Sequence, residues 1–161
     1  IMDDLRAGAY VASVLAETLP AWTIPTLTFL LAGVIALATG TSWGTMAILF
    51  PIVIPLVATH QGLPHFEALL LGSSSAILGG SVFGDHCSPI SDTTVLSSIA
   101  CASDHVDHVK TQAPYSLACA GASVFIGYIP LGFGFSPWLS MLIGLGALFA
   151  LLRLIGRSAE D

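Results

Sequence analysis

Two long tracts of the chain contain no charged residue, and they dominate its pattern of hydrophobic and polar positions. The tracts cover residues 18–66 and 111–152. Each is about twice the roughly 20 residues that one helix needs to cross a bilayer. We therefore expect a helical hairpin over residues 22–59 and two transmembrane helices over residues 113–131 and 137–155.

A polar hexapeptide interrupts the first tract. Residues 40–45 read Gly-Thr-Ser-Trp-Gly-Thr, and glycines mixed with hydroxyl side chains disfavour a continuous helix. The apolar run that follows, Met46–Thr59, is short for a full crossing and contains Pro51 and Pro55. The pattern therefore predicts a re-entrant hairpin with its tip at residues 40–45, rather than two complete spans.

A second interruption divides the apolar segment at residues 68–103. Polar residues are concentrated at residues 84–94, so we expect a broken helix that is unwound there. Before the interruption, small residues recur every four positions, a spacing that lets another helix approach closely. We interpret these positions as a packing seam: Gly72, Ala76, Gly80 and Gly84.

The composition agrees with a membrane location. Hydrophobic residues make up 55% of the chain and charged residues only 9%, whereas soluble domains average about 25% charged residues. These values exclude a soluble domain and a disordered chain. The expected fold class is an all-α polytopic membrane protein: a single membrane-embedded domain over residues 1–161 with a re-entrant helical hairpin, a discontinuous transmembrane helix and two further spans.

The few basic residues exclude a nucleic-acid partner. Lys110 is the only lysine or arginine between Arg6 and Arg153, so the chain has no basic patch for a phosphate backbone. The formal net charge is −6. The lipid bilayer is therefore the partner that the composition predicts.

The second interruption carries the candidate chemistry. Asp85 and Asp92 lie within it, and ionisable residues at membrane depth are rare enough to indicate a function. Carboxylate, hydroxyl and free carbonyl oxygens suit a hard cation such as Na⁺. Ser88, Ser91 and Thr93 supply hydroxyls here, and Thr41 and Ser42 supply them at the first interruption.

A buried carboxyl group can also carry a proton. Burial in a low dielectric raises the pKa of a carboxylic acid, and a bound cation lowers it. We therefore expect a site that holds either Na⁺ or H⁺, which would give exchange. The sequence does not rank the two aspartates, although our first choice for an inactivating substitution is Asp92→Asn.

Several polar residues have more than one interpretation. Asp85 and Asp92 could belong to a water-facing loop at the membrane edge. His86 is a candidate proton relay or a satisfied polar contact, and Trp43 is a candidate gate or a packing residue. The acids and histidines at residues 104–108 resemble a metal cluster, but we interpret them as a solvated turn in a loop over residues 104–112.

Three stretches resemble the C-terminal half of Na⁺/H⁺ antiporters of the NhaC type, within the ion-transporter superfamily. They are Thr39–Leu56, Gly79–Ser98 and Cys101–Tyr115. The resemblance implies a secondary transporter of the bacterial cell membrane, not an enzyme, built from inverted repeats that each contain a hairpin and a broken helix. The implied ion site comprises Asp85, Asp92, Ser88, Ser91, Thr93, Thr41 and Ser42.

The resemblance also sets the expected partners. Such transporters are much longer, and this chain begins with Ile rather than Met, so we expect a piece of a longer protein. Its partners would be the bilayer and the N-terminal half of the same transporter, with a homodimer left open. Na⁺ and H⁺ are transported ions, and no cofactor is implied.

Other functions fit the motifs less well. An aspartyl intramembrane protease needs Gly-x-Gly-Asp, but Val82 stands where the first glycine should be, and the zinc-protease motif HExxH is absent. A passive cation channel and an exchanger of small carboxylates or amino acids remain as alternatives. The absence of Lys or Arg near either interruption favours a bare cation over a carboxylate.

Overall fold

The computed structural model describes residues 10, 14–15 and 18–155. The described part of the chain forms six helices, and the all-α prediction is confirmed there. Two short variants accompany them: a 3₁₀ turn at Ala21–Thr23 and a π-helical stretch at Ser123–Tyr128. The helices are α1 (Ile24–Thr39), α2 (Ser42–Ala58), α3 (Phe66–Cys87), α4 (Asp92–Ala100), α5 (His105–Gly132) and α6 (Pro137–Ile155).

Three helical segments are long and apolar enough to cross a membrane. They are Ala21–Thr39, Phe66–Cys87 and His105–Gly132. Two shorter apolar helices, Ser42–Ala58 and Pro137–Arg153, accompany them. The chain is therefore a multi-pass membrane protein, and the bilayer is its partner.

Helix α5 begins earlier than the sequence analysis predicts. The Asp104 side chain accepts a hydrogen bond from the Asp107 backbone N–H at 3.0 Å and caps the helix, which begins at His105. An aspartate in this position satisfies one of the free N–H groups of the first turn. The predicted loop over residues 104–112, with its solvated turn, was therefore wrong beyond Asp104.

Both polar interruptions are shorter in the structure than in the sequence prediction. Gly40 ends α1 in a left-handed conformation with φ of +66°, and the Thr41 side chain accepts from the Gly44 N–H at 3.3 Å. This cap lets α2 begin at Ser42. The second interruption is confined to residues 88–91, between the end of α3 and the start of α4.

The predicted packing seam on α3 is confirmed. A Cβ atom added to Gly84 would collide with the Gly33 carbonyl oxygen, and one added to Gly80 would collide with the Phe29 carbonyl oxygen. The backbones of α1 and α3 are therefore in direct contact. Because later residues of α1 meet later residues of α3, the two helices run in parallel.

Helix α2 closes the core against this pair. It follows α1 after two residues and packs against both α1 and α3, and it stays helical through Pro51 and Pro55. One buried hydrophobic cluster joins the three helices, and it consists of Ile24, Ala32, Leu49, Val53, Leu56, Val57, Leu69 and Ile77. The interruptions lie together at one end of this core.

Candidate functional site

The two interruptions contact each other. The Ser88 hydroxyl donates to the Leu37 carbonyl oxygen at 2.9 Å, which joins the second interruption to the last turn of α1. A Cβ atom added to Gly40 would lie 2.9 Å from the Ile90 carbonyl oxygen. The sequence analysis expects both interruptions to contribute oxygens to one site, and the structure places the two interruptions in contact.

Asp85 lies at the centre of this region, in the last turn of α3. Its side chain is only 4% exposed. The Ser91 hydroxyl donates to Asp85 Oδ1 at 2.9 Å, and the Thr93 hydroxyl donates to Oδ2 at 3.0 Å. The two hydroxyl oxygens are themselves 2.8 Å apart. Asp85, Ser91 and Thr93 therefore form a closed three-membered ring of polar contacts, which we call the Asp85 ring.

No cationic side chain pairs with Asp85 among the described residues. Within the described residues its carboxylate forms no ion pair, and Lys110 instead approaches Asp107, with Nζ 3.9 Å from Oδ1, at an exposed position. Helices α1 and α3 end in this region while α2 and α4 begin in it, so partial negative and partial positive helix ends are both present. A buried carboxylate with no cationic side chain is unfavourable unless a proton or an ion neutralises it.

Asp92 occupies a different position. It is the first residue of α4, its side chain is exposed, and no hydrogen bond joins its carboxylate to Asp85 among the described residues. A carboxylate in the first turn interacts favourably with the positive end of a helix. Of the two aspartates, only Asp85 is buried and accepts side-chain hydrogen bonds within the described part of the chain.

The other predicted site residues lie at the edge of the region. The polar contacts of Thr41 stay within the first turn of α2, where its carbonyl oxygen accepts from the Thr45 hydroxyl at 2.9 Å, and Ser42 is half-buried beside it. Trp43 is 82% exposed. His86 is exposed, and its Nδ1 lies 2.9 Å from the Val82 carbonyl oxygen. Thr41 and Ser42 make no hydrogen bond to Asp85 in the described part of the chain.

Two histidines that the sequence analysis assigned to a solvated turn, His105 and His108, contact the second interruption and α4. The buried Ser98 hydroxyl lies 3.1 Å from His105 Nδ1 and 2.8 Å from His108 Nδ1. His105 Nε2 lies 2.7 Å from the Pro89 carbonyl oxygen. These contacts join residues 88–91 to the first turn of α5. The sequence contains a local signal for this arrangement. His105 directly follows the N-cap residue Asp104, and His108 lies three residues further on, a spacing that places both on one face of a helix.

The contact between the interruptions predicts the effect of Gly40→Ala. Both Gly40 and Gly134 have positive φ, but a Cβ atom on Gly134 would meet its nearest neighbour at 3.5 Å. Both alanine variants are strained by about 1–2 kcal/mol, while only Gly40→Ala pushes against Ile90. We expect faster backbone hydrogen exchange at residues 88–91 in Gly40→Ala and wild-type exchange there in Gly134→Ala. Equal exchange in the two variants would contradict the contact.

Comparison with known proteins identifies the family. A profile described as the Na⁺/H⁺ antiporter family matches residues 1–133. The chain belongs to the Na⁺/H⁺ antiporter family. It is therefore part of a family of membrane transporters rather than of enzymes, and the resemblance found in the sequence is confirmed.

Three relatives show the range of this antiporter family. An uncharacterised protein of Haemophilus influenzae is 43% identical over 136 residues, covering 84% of this chain and 25% of the relative. The malate-2H⁺/Na⁺-lactate antiporter of Bacillus subtilis is 38% identical, covering 56% of this chain and 18% of the relative. The arginine/ornithine antiporter ArcD of Halobacterium salinarum is 39% identical, covering 70% and 22%.

The chain spans about a quarter or less of the length of these relatives. No solved structure matches it significantly. The names of the relatives therefore indicate several transported solutes. The geometry around Asp85 is described from the structure of this chain alone.

Proposed function

We propose that this chain carries the ion site of a transporter that exchanges Na⁺ for H⁺, with Asp85 as the group that holds either ion. One observation carries the proposal: a buried carboxylate accepts two hydroxyl donors and has no cationic side chain beside it within the described residues. Such a group requires neutralisation. In a membrane transporter, a proton and a cation are the available neutralising species.

The number of hydrogens available in the Asp85 ring supports alternate occupancy by H⁺ and Na⁺. Three contacts join Asp85, Ser91 and Thr93, but the two hydroxyls supply only one hydrogen each. A protonated carboxyl supplies the third hydrogen, and all three contacts are then hydrogen bonds. When the proton leaves, lone pairs on the hydroxyl and carboxylate oxygens become available to a hard cation.

The proposal extends to the backbone around Asp85. We propose that α1 and α2 form a re-entrant hairpin and that α3 and α4 are the two parts of one discontinuous transmembrane helix. Irregular backbone at membrane depth is tolerated where protein or a water-filled cavity satisfies its polar groups. The bond from Ser88 to Leu37 and the histidine contacts to Pro89 and Ser98 supply such partners here.

The length of the relatives leads to a proposal about the whole transporter. Because this chain spans a quarter or less of each relative, we propose that further helices complete the transport unit. Many large apolar side chains of this chain are exposed, including Leu142, Leu145 and Phe149 on α6. Those helices and the lipid would cover them.

Exchange of an organic solute is the second candidate function. It is favoured by two relatives named as a malate–lactate antiporter and an arginine/ornithine antiporter. The site itself favours a bare cation, because the chain has no Lys or Arg between Arg6 and Lys110 to pair with a carboxylate. In this second case Na⁺ or H⁺ at Asp85 would drive the solute.

The test is a coupled-flux measurement on the complete transporter in proteoliposomes. We expect an inward Na⁺ gradient to drive protons out against their gradient with no organic solute present. A Na⁺ current without proton movement would indicate a channel and contradict exchange. Proton movement that requires malate, lactate, arginine or ornithine would instead establish the second function.

A further inference from the structure

Two buried hydroxyls on α3 have no partner. Ser73 and Ser81 are both fully buried, and their Oγ atoms make no hydrogen bond within the described structure. Their neighbours on the same helix behave differently, since Ser74 donates to the Leu70 carbonyl oxygen at 2.8 Å and Ser75 to the Gly72 carbonyl oxygen at 3.0 Å. Bonding back to the helix is the usual solution for a helical serine. Ser73 and Ser81 do not use it.

The position of Ser81 distinguishes it from Ser73. Ser81 precedes Asp85 by four residues, and helical residues at this spacing lie on one face with their Cβ atoms about 5–6 Å apart. Ile77, one turn further back, belongs to the buried core, so this face of α3 points into the protein. Ser73 lies three turns from Asp85, about 18 Å along the helix axis.

We infer that Ser81 supplies a further oxygen ligand to the cation at Asp85. This inference rests on the proposed function, because it extends the same site. Ser91 and Thr93 occupy one hydrogen-bonding position on each carboxylate oxygen, and a carboxylate offers about four such positions. The Ser81 hydroxyl lies one turn away without a competing partner, so a cation bound between them would take both oxygens.

A bound cation would give the Ser81 hydroxyl the partner that it otherwise lacks. An unpaired buried hydroxyl is unfavourable, so an alanine at this position would be better for packing alone. A hydroxyl that binds the ion is satisfied only in the loaded state. Ser81 therefore stabilises the Na⁺-loaded site and not the protonated one. The proton is held within the Asp85 ring and makes no contact with Ser81.

The test compares matched substitutions at the two serines in the complete transporter. Ser81→Ala should raise the half-saturating Na⁺ concentration about tenfold, which corresponds to about 1.4 kcal/mol of binding free energy, with an unchanged maximal rate. Ser81→Cys keeps the size but replaces a hard oxygen by sulfur, and it should behave in the same way. Ser73→Ala and Ser73→Cys should match the wild type.

The outcomes separate this inference from the proposed function. If Ser81→Ala and Ser73→Ala give the same Na⁺ dependence while Asp85→Asn is inactive, the Ser81 inference is wrong and the proposed function stands. If Asp85→Asn retains exchange, the proposed function itself is wrong. Thermal unfolding in detergent should show that both alanine variants are at least as stable as the wild type. A destabilised Ser81→Ala with an unchanged half-saturating Na⁺ concentration would assign Ser81 to packing.

Discussion

Asp85→Asn is expected to abolish Na⁺-driven proton flux in proteoliposomes of the complete transporter. The Asp85 carboxylate accepts from Ser91 and Thr93 at 2.9 and 3.0 Å, one hydroxyl on each oxygen. Asparagine keeps the size and one acceptor oxygen, and its NH₂ group donates to the other hydroxyl instead of accepting from it. It removes both the negative charge and the exchangeable proton. The loss should therefore be complete at every Na⁺ concentration, rather than a shift of the half-saturating value.

Asp92→Asn is the matched control for this prediction. Its carboxylate is exposed at the start of α4, where a charge stabilises the helix end by about 0.3–1 kcal/mol. The sequence analysis chose Asp92→Asn as the inactivating substitution, but because this side chain is exposed we instead expect Asp92→Asn to retain exchange at close to the wild-type rate. An inactive Asp92→Asn beside an active Asp85→Asn would reverse the ranking that the burial of the two side chains supports.

Among alanine substitutions of the glycines on α3, Gly84→Ala is expected to lower the free energy of unfolding most. The new methyl group would collide with the Gly33 backbone oxygen and lie 2.8 Å from Ala36 Cβ, so α1 and α3 must separate. Overpacking of this kind costs about 1–3 kcal/mol. Because Gly84 directly precedes Asp85, the separation should also lower exchange. Thermal unfolding and coupled flux together measure both effects.

An open glycine provides the comparison for Gly84. Gly62 lies in the exposed connection between α2 and α3, and a Cβ atom there would meet nothing within 4 Å. Gly62→Ala should leave the unfolding temperature and the flux unchanged. A Gly84→Ala variant as stable as Gly62→Ala would show that the two helices are further apart than the structure places them.

The helices and their interruptions could be predicted because they depend on local composition. The uncharged tracts indicated membrane helices, and glycine, threonine and serine around Gly40 and Ser88 indicated the breaks. Their bounds were too wide for a physical reason. Thr41 caps the helix that follows it, with its side chain accepting from Gly44, so that only two residues separate α1 from α2.

The composition of the site depended on tertiary contacts and was only partly predictable. Asp85, Ser88, Ser91 and Thr93 were identified by type and spacing, but the burial that separates Asp85 from Asp92 follows from the packing of α3 against α1. The same holds for the contact between the two interruptions, since Leu37 and Ser88 are far apart in the sequence. The pattern of hydrophobic and polar residues in the sequence does not specify which distant segments come into contact.

Two features were missed despite a local signal. Asp104 followed three residues later by Asp107 is a helix-start pattern, and it would have placed His105 and His108 on a helix rather than in a turn. Ser81 was absorbed into an apolar run, although its spacing of four residues from Asp85 places both on one helical face.

The most direct test of the account is proton release upon Na⁺ binding. In weakly buffered, detergent-solubilised transporter whose site is protonated, addition of Na⁺ should release protons in proportion to the Na⁺ bound, close to one per site, and Asp85→Asn should release none. This result would show that Na⁺ and H⁺ compete for the same carboxyl group. Na⁺ binding without proton release in the wild type, or equal release from Asp85→Asn, would contradict the account.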